Sequence, residues 1–193
     1  MKEKKYRIVL GSQSARRQQL LKGLDIDFEI KTLDNAEETF PADMPAGEVA
    51  PYLACRKAEA LQPLADDELL ITADTVVVVD GKIYGKPSDK EEAHSMLQTL
   101  SGRMHEVITG VAVTSAERSV LFAVSTKVWF THISREDIDY YIEHYRPFDK
   151  AGSYGIQEWI GFVGIERIEG SFYNVMGLPI HRIYRVLKDF GVI

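Results

Sequence analysis

The sequence predicts an α/β fold: a mixed α+β sheet flanked by helices, in a single domain over residues 1–193. Runs of apolar, β-branched residues alternate along the chain with segments whose apolar residues recur at i, i+3, i+4 and i+7. Strands therefore interleave with helices, which is typical of a sheet with helical cover. The 193 residues, 45% of them hydrophobic, are enough to form one sizeable core.

The first half of the chain predicts two strands, each followed by a helix. A strand is predicted at 6–10, and a helix begins behind Ser14, a natural N-cap residue. A second strand is predicted near 28–31. A helix follows at about 47–62, because its alanines repeat on one helical face.

The second half begins with a hairpin signal at Asp80 and Gly81. Ser88 and Glu91 form a predicted capping box, which starts a helix. Two long strands are predicted at 105–113 and 121–131. A helix follows from residue 134, then a last strand at 161–168 and a C-terminal helix. The stretch 147–157 mixes turn formers with polar groups, so we expect a loop that closes over a ligand rather than a core element.

Asp74 interrupts the apolar stretch 71–79, which otherwise predicts a buried strand. A buried, ionised carboxylate costs several kcal/mol unless it is paired, hydrogen-bonded or bound to a metal. Asp74 is therefore either a structural residue in a turn cap or salt bridge, or a functional carboxylate that faces cations or a pocket. If the hairpin pairs tightly, Lys86 returns toward the level of Asp74.

Cationic side chains occur where a helix normally attracts anions. Arg16 and Arg17 follow Ser12 and Ser14 in the first predicted helical turn, where the dipole favours negative charge by roughly 0.3–1 kcal/mol. This pattern indicates a bound phosphate, although a solvated basic face explains it equally well. Lys57 is likewise either a lysine that extends to solvent or a cation aimed at a cleft.

Composition limits the partners. The net charge of −6 argues against nucleic-acid binding but is compatible with a small anionic ligand. No apolar run approaches the roughly 20 residues of a membrane span, and the N-terminus has no signal-peptide pattern, so we expect a cytoplasmic protein without a membrane partner. The five histidines lack zinc-ligand spacing, and the glycines form neither a dinucleotide-binding motif nor a P-loop.

Seven short motifs occur in a characteristic order. They are residues 11–17 (GSQSARR), 57–58 (KA), 73–75 (ADT), 85–87 (GKP), 100–102 (LSG), 149–157 (DKAGSYGIQ) and 175–179 (VMGLP). The set resembles the Maf family of nucleoside triphosphate pyrophosphatases over nearly the whole chain. Ala15 stands where the family usually has proline, which affects the stiffness of the turn more than its chemistry.

The resemblance implies a two-lobed fold like that of inosine triphosphate pyrophosphatases, with the nucleotide in a cleft between lobes. The implied reaction cleaves a nucleoside triphosphate between its α- and β-phosphates. The implied catalytic residues are Asp74, Lys86, Arg17 and Lys57. The implied substrate-binding residues are Ser12, Ser14, Arg16, Thr75 and Gln157. The implied ligands of a divalent cation, Mg²⁺ or Mn²⁺, are Glu37 and Asp74, and Asp74 either removes the proton from water or holds the metal that acidifies it.

Three positions suggest the branch of the family. Arg16, Thr75 and Gln157 match what looks like the specificity set of the dTTP/UTP-hydrolysing branch, and modified pyrimidine nucleotides are further expected substrates. The Gln157 amide offers an acceptor and a donor to the N3–H and O4 of uracil or thymine. Two alternatives stay open, a 7-methyl-GTP pyrophosphatase and a non-enzymatic, nucleotide-sensing regulator of cell division. The oligomeric state is also open, with a homodimer as the candidate.

Overall fold

A computed structural model describes residues 6–32 and 39–193. Its elements are β1 (Arg7–Leu10), α1 (Ala15–Lys22), β2 (Phe28–Ile30), α2 (Ala46–Ala60), β3 (Glu68–Val79), β4 (Lys82–Tyr84), α3 (Lys90–Leu100), β5 (Met104–Thr114), β6 (Ser119–Phe130), α4 (Arg135–Tyr145), α5 (Trp159–Gly164), β7 (Ile165–Glu169), α6 (Phe172–Val175) and α7 (Ile180–Asp189), with a short 3-10 turn at Ala151–Ser153. Parallel and antiparallel strand pairs both occur, so the predicted mixed α/β class is confirmed. Within the described ranges no helix is long and apolar enough to cross a membrane.

The chain forms two compact units. The first holds the described residues up to Asp74 together with Thr109–Val124 and Gly177–Ile193, and the second holds Thr75–Ile108 and Ser125–Met176. Strands β3, β5 and β6 each contribute residues to both units. The single domain over residues 1–193 stays a prediction.

The first unit is built on a parallel core of strands. In register, β1 pairs with β2 and β3, and Leu10 lies level with Ile30 on one side and Ile71 on the other. Strand β5 lies beyond β3 in the sheet. Val9, Leu70 and Ala112 pack with Ala58 of α2 and with Leu61, the residue that caps its C-terminus. The core of this unit therefore lies between the sheet and α2.

Helix α2 lies so close to β5 that one position accepts only glycine. A Cβ atom on Gly110 would lie 2.2 Å from the backbone nitrogen of Pro51 and 2.3 Å from the carbonyl carbon of Ala50. The Thr72 hydroxyl of β3 donates a hydrogen bond of 2.7 Å to the Ala54 carbonyl of the same helix. These contacts fix the position of α2 on the sheet, and with it the position of Lys57.

The second unit contains the predicted hairpin. Asp80 and Gly81 have φ angles of 49° and 77°, as a type I′ turn requires, and Val79 pairs with Lys82. At the far edge β7 pairs antiparallel with β6.

Two local predictions in the second unit are wrong. The cap of α3 is Asp89, whose carboxylate accepts a hydrogen bond of 2.8 Å from the Glu92 amide, rather than Ser88 paired with Glu91. The predicted strand at 161–168 is a helix up to Gly164, and β7 begins only at Ile165. A Cβ on Gly161 would lie 1.8 Å from the Ile156 carbonyl oxygen, so close packing rather than apolar content determines the backbone there.

Replacing Gly110 by alanine is expected to lower the free energy of unfolding by about 1–3 kcal/mol or more, because the added methyl group meets backbone atoms that cannot move aside. Urea denaturation measures the change. The matched control is Gly47→Ala in α2, where nothing lies within 4 Å of the added Cβ. It should change stability by no more than about 1 kcal/mol, toward greater stability. Equal effects at the two positions would contradict the packing argument.

Candidate active site

The candidate site contains a buried ion pair. Lys57 Nζ of α2 lies 2.5 Å from Asp74 Oδ1 of β3, and the two side chains are 17% and 9% exposed. A carboxylate at this depth is tolerated because a cation neutralises it and donates a charge-assisted hydrogen bond. Asp74 therefore faces a cation, an arrangement that fits both the structural and the functional interpretation of this residue.

The turn that starts α1 is held by its own serines. The Ser12 hydroxyl accepts a hydrogen bond of 3.2 Å from the Ser14 amide, and the Ser14 hydroxyl accepts one of 3.5 Å from the Arg17 amide. Ser14 is the N-cap, as predicted, and Ala15 occupies the first helical position, where proline is also well tolerated. The exchange of proline for alanine therefore preserves the turn.

Arg17 is held in place by two acceptors. Its Nε donates a hydrogen bond of 2.8 Å to the Gly177 carbonyl oxygen, and its Nη1 lies 3.5 Å from Ser12 Oγ. Gly177 has a φ of 110°, a conformation that side chains disfavour. The backbone after α6 thus orients the guanidinium toward the serine turn.

The parallel register brings these groups to one edge of the first unit. Leu10 and Ile71 lie side by side, and the Gly11 amide donates a hydrogen bond of 2.8 Å to the Ile71 carbonyl. The serine turn therefore follows β1 at the same edge where β3 continues to Asp74. Six of the predicted residues belong to this unit: Ser12, Ser14, Arg16, Arg17, Lys57 and Asp74.

Three predicted residues lie in the second unit. Thr75 continues β3 directly after Asp74. Val77 pairs with Tyr84, so the same antiparallel register, extended by two residues, brings Lys86 level with Thr75.

Gln157, the third of them, belongs to a segment that sequence reasoning misjudged. Lys150, Tyr154 and Ile156 are 7%, 5% and 4% exposed, so these parts of the stretch belong to the core, where the sequence predicted a loop rather than a core element. The Gly152 amide donates a hydrogen bond of 3.0 Å to the Gly85 carbonyl, next to Lys86. The turn formers give this buried backbone its tight path.

The amide of Gln157 has an unused acceptor. Its Oε1 is buried, and no described residue donates a hydrogen bond to it. Leaving a buried acceptor unpaired costs about 1–3 kcal/mol. An unsatisfied, rigidly held group is typical of a functional site, where a ligand donor supplies the missing bond.

Residues 7–190 match the family model of the Maf-like proteins. The chain belongs to this family. A protein of Porphyromonas gingivalis named "dTTP/UTP pyrophosphatase" is 59% identical over 191 residues, which are 97% of this chain and 96% of that protein. Proteins with the same name from Parabacteroides distasonis and Flavobacterium johnsoniae are 52% and 47% identical, over 97% and 96% of each chain respectively. A solved structure described as a HAM1 protein from Coxiella burnetii is 15% identical, with a TM-score of 0.46 over 95% of this chain and 99% of that one.

Of the two predicted metal ligands, only Asp74 lies in the part of the chain that the structure describes. Glu37 lies outside the described residues, and in the described part of this Maf-like chain no three His, Cys, Asp or Glu side chains form a metal cluster. Mg²⁺ is usually held by one or two carboxylates together with substrate phosphates and water, rather than by a cage of protein ligands. The Asp74 carboxylate fits that mode of binding.

Sequence reasoning missed a buried aromatic cluster that contains Tyr154, three residues before Gln157. His105 Nε2 and the Tyr154 hydroxyl lie 2.7 Å apart, and both rings pack edge-on against Phe130. Burial lowers the pKa of His105 to about 4 and raises the pKa of Tyr154 above its usual value. Neither residue carried a signal along the chain, because the contact joins positions 49 residues apart.

His105 should make the protein lose stability in mild acid. Its pKa is about 4 in the folded protein, but about 6.5 in an unfolded chain, so only the unfolded chain takes up a proton between those values. This contribution is complete above pH 6.5 and is lost as the pH falls toward 4, with about 2 kcal/mol lost between pH 7 and pH 5. Urea denaturation at several pH values should show a flatter profile for His105→Gln than for wild type. The exposed-histidine control His181→Gln should keep the wild-type slope, and an equally steep profile for His105→Gln would contradict the assignment.

Breaking the buried ion pair should cost stability and activity separately. Asp74→Asn and Lys57→Met should each lower the free energy of unfolding by roughly 3 kcal/mol, because each removes the opposite charge that its buried partner faces. The double variant should lose clearly less than the sum, while all three should lose pyrophosphate release when assayed well below their melting temperatures.

The matched control is Arg56→Met, which breaks the exposed Arg56–Glu59 pair on the same helix. It should change stability by less than about 1 kcal/mol and keep full activity. A folded, active Asp74→Asn protein would remove Asp74 from the chemistry, and strictly additive losses would show that the pair is not coupled.

Proposed function

We propose that this Maf-like protein is a nucleoside triphosphate pyrophosphatase that hydrolyses dTTP and UTP to the monophosphate and pyrophosphate. The observation that carries the proposal is the buried Lys57–Asp74 pair, at the sheet edge where the serine turn starts α1. Relatives that carry this activity in their names are 47–59% identical over nearly their whole length. The same site is expected to accept modified pyrimidine nucleotides, and the compartment we propose is the cytoplasm.

The cations suit the leaving group. Cleavage between the α- and β-phosphates leaves a pyrophosphate that gains negative charge in the transition state. Arg17, Lys57 and Lys86 neutralise that charge, while the hydroxyls of Ser12 and Ser14 and the amide groups at the start of α1 donate neutral hydrogen bonds. Arg17 is preorganised by the Gly177 carbonyl, so little conformational entropy is lost when it engages phosphate.

Asp74 is the proposed acceptor of the proton from the attacking water. Lys57 fixes one carboxylate oxygen through the 2.5 Å contact and so defines the direction in which the group accepts that proton. We further propose that Asp74, with Glu37 and the triphosphate, holds Mg²⁺ or Mn²⁺. When bound, such a cation neutralises phosphate charge and makes water more acidic.

We propose that the second unit binds the nucleobase of the substrate. Uracil and thymine present a donor at N3 and an acceptor at O4, the complement of the Gln157 amide, whose buried Oε1 lacks a donor among the described residues. Arg16 and Thr75 complete the proposed specificity set. Paired hydrogen bonds of this kind discriminate between bases more strongly than shape does.

The test is a phosphate-release assay with added inorganic pyrophosphatase on a panel of nucleotides. We expect kcat/KM for UTP and dTTP to exceed that for CTP, ATP and GTP by at least about tenfold, which is roughly 1.4 kcal/mol. Excess EDTA should abolish turnover, because a carboxylate does not approach a polyphosphate readily without a bridging cation. Preference for 7-methyl-GTP would move the protein to another branch, saturable nucleotide binding without turnover would make it a sensor, and full activity in EDTA would overturn the metal proposal.

A further inference from the structure

One buried hydroxyl holds both ends of the turn that carries Gln157. Residues 155–158 form a turn closed by a hydrogen bond of 3.0 Å from the Glu158 amide to the Gly155 carbonyl, with Gln157 in its third position. The Gly155 amide donates a hydrogen bond of 3.0 Å to the Tyr141 hydroxyl, and that hydroxyl donates to the Glu158 carboxylate. Tyr141 lies on α4 and is fully buried.

A buried lysine completes the network. Lys150 Nζ lies 3.1 Å from Glu158 Oε1 and 2.7 Å from Asp149 Oδ1, and the Lys150 side chain is 8% exposed. Lys150 therefore occupies Oε1 of Glu158, and Oε2 accepts the hydrogen bond from the Tyr141 hydroxyl. Because the hydroxyl proton is used in that bond, the Tyr141 oxygen faces Gly155 with a lone pair, as the Gly155 amide requires.

This turn determines where the Gln157 amide lies. A Cβ atom on Gly155 would fall 2.9 Å from Gln157 Nε2, so the amide packs directly against the backbone of Gly155. Moving Gly155 therefore moves or frees this amide.

The orientation of that amide decides which base it fits. Uracil offers a donor at N3 and an acceptor at O4, whereas cytosine offers an acceptor at N3 and a donor at N4. A glutamine that can rotate its amide by half a turn satisfies both patterns, and only a fixed one rejects cytosine.

We infer that Tyr141 is a positioning residue for base selection. Its hydroxyl fixes the Gln157 amide through Gly155 and Glu158, and the fixed amide selects the base. This inference rests on the proposed hydrolysis of dTTP and UTP. It adds Tyr141, Glu158 and Lys150 to the groups that determine specificity, although none of them is proposed to touch the nucleotide.

The test is Tyr141→Phe, which removes the hydroxyl and keeps the ring. We expect the ratio of kcat/KM for UTP to that for CTP to fall at least tenfold, through a higher KM for UTP and faster turnover of CTP, with kcat for UTP within about threefold of wild type. In amide hydrogen exchange by NMR, Gly155 should lose protection in the variant. The matched control is Tyr145→Phe, which removes a hydroxyl from the ring stacked on Tyr141, and it should change neither readout.

Glu158→Gln keeps an acceptor for Tyr141 but loses the charge that pairs with Lys150, and should give an intermediate ratio. It also tests the inference if Tyr141→Phe does not fold. If the wild type prefers UTP and both variants keep the wild-type selectivity, the role of Tyr141 is overturned while the proposed substrate stands. Wild type without turnover, or without preference for UTP over CTP, would overturn the proposed substrate and the selectivity role together, while unchanged Gly155 exchange in Tyr141→Phe would independently refute the positioning contact.

Discussion

The buried contact between Lys57 and Asp74 is the interaction on which the first unit depends. Neither charge is tolerated alone at this depth, since an unpaired buried ion costs several kcal/mol, so the helix and the strand that carry them must be held at a fixed separation. Gly110 allows α2 to touch β5 backbone to backbone, and Thr72 ties α2 to β3. The closeness of this packing is what allows a paired carboxylate to lie in the middle of the buried strand β3.

In the proposed function, the two units recognise different parts of the nucleotide. The first concentrates cations and a helix N-terminus, which suit a triphosphate of high charge and little shape. The proposed role of the second is to recognise the base with a neutral amide in a rigid turn, because bases differ in the order of their donors and acceptors and not in charge. The ion pair beside this turn joins the buried Lys150 to the half-buried Glu158. Preorganisation reduces the entropy lost on binding in both cases.

Much of this could be predicted along the chain. Local signals identified most strands and most helices, including the Ser14 cap and the Asp80–Gly81 turn, because these depend on neighbouring residues. The predictions failed where distant contacts override local preference. The stretch 147–157 has the composition of a loop that closes over a ligand, but most of it is packed into the core. The apolar stretch after Trp159 forms a helix, and Gly161 there lies against the Ile156 backbone. Composition cannot reveal such contacts, since the same polar and glycine residues serve surface turns and buried ones.

The sequence by itself determined the fold class, the family and the identity of the groups suited to phosphate, because periodicity, caps and ordered motifs are written locally. Only the tertiary structure decided that Lys57 is the partner of Asp74 and that the Gly177 carbonyl orients Arg17. It alone also revealed that the Tyr141 hydroxyl binds the turn around Gln157. Each of these contacts joins residues far apart in the chain, and their geometry follows from how helices and strands pack rather than from any local pattern.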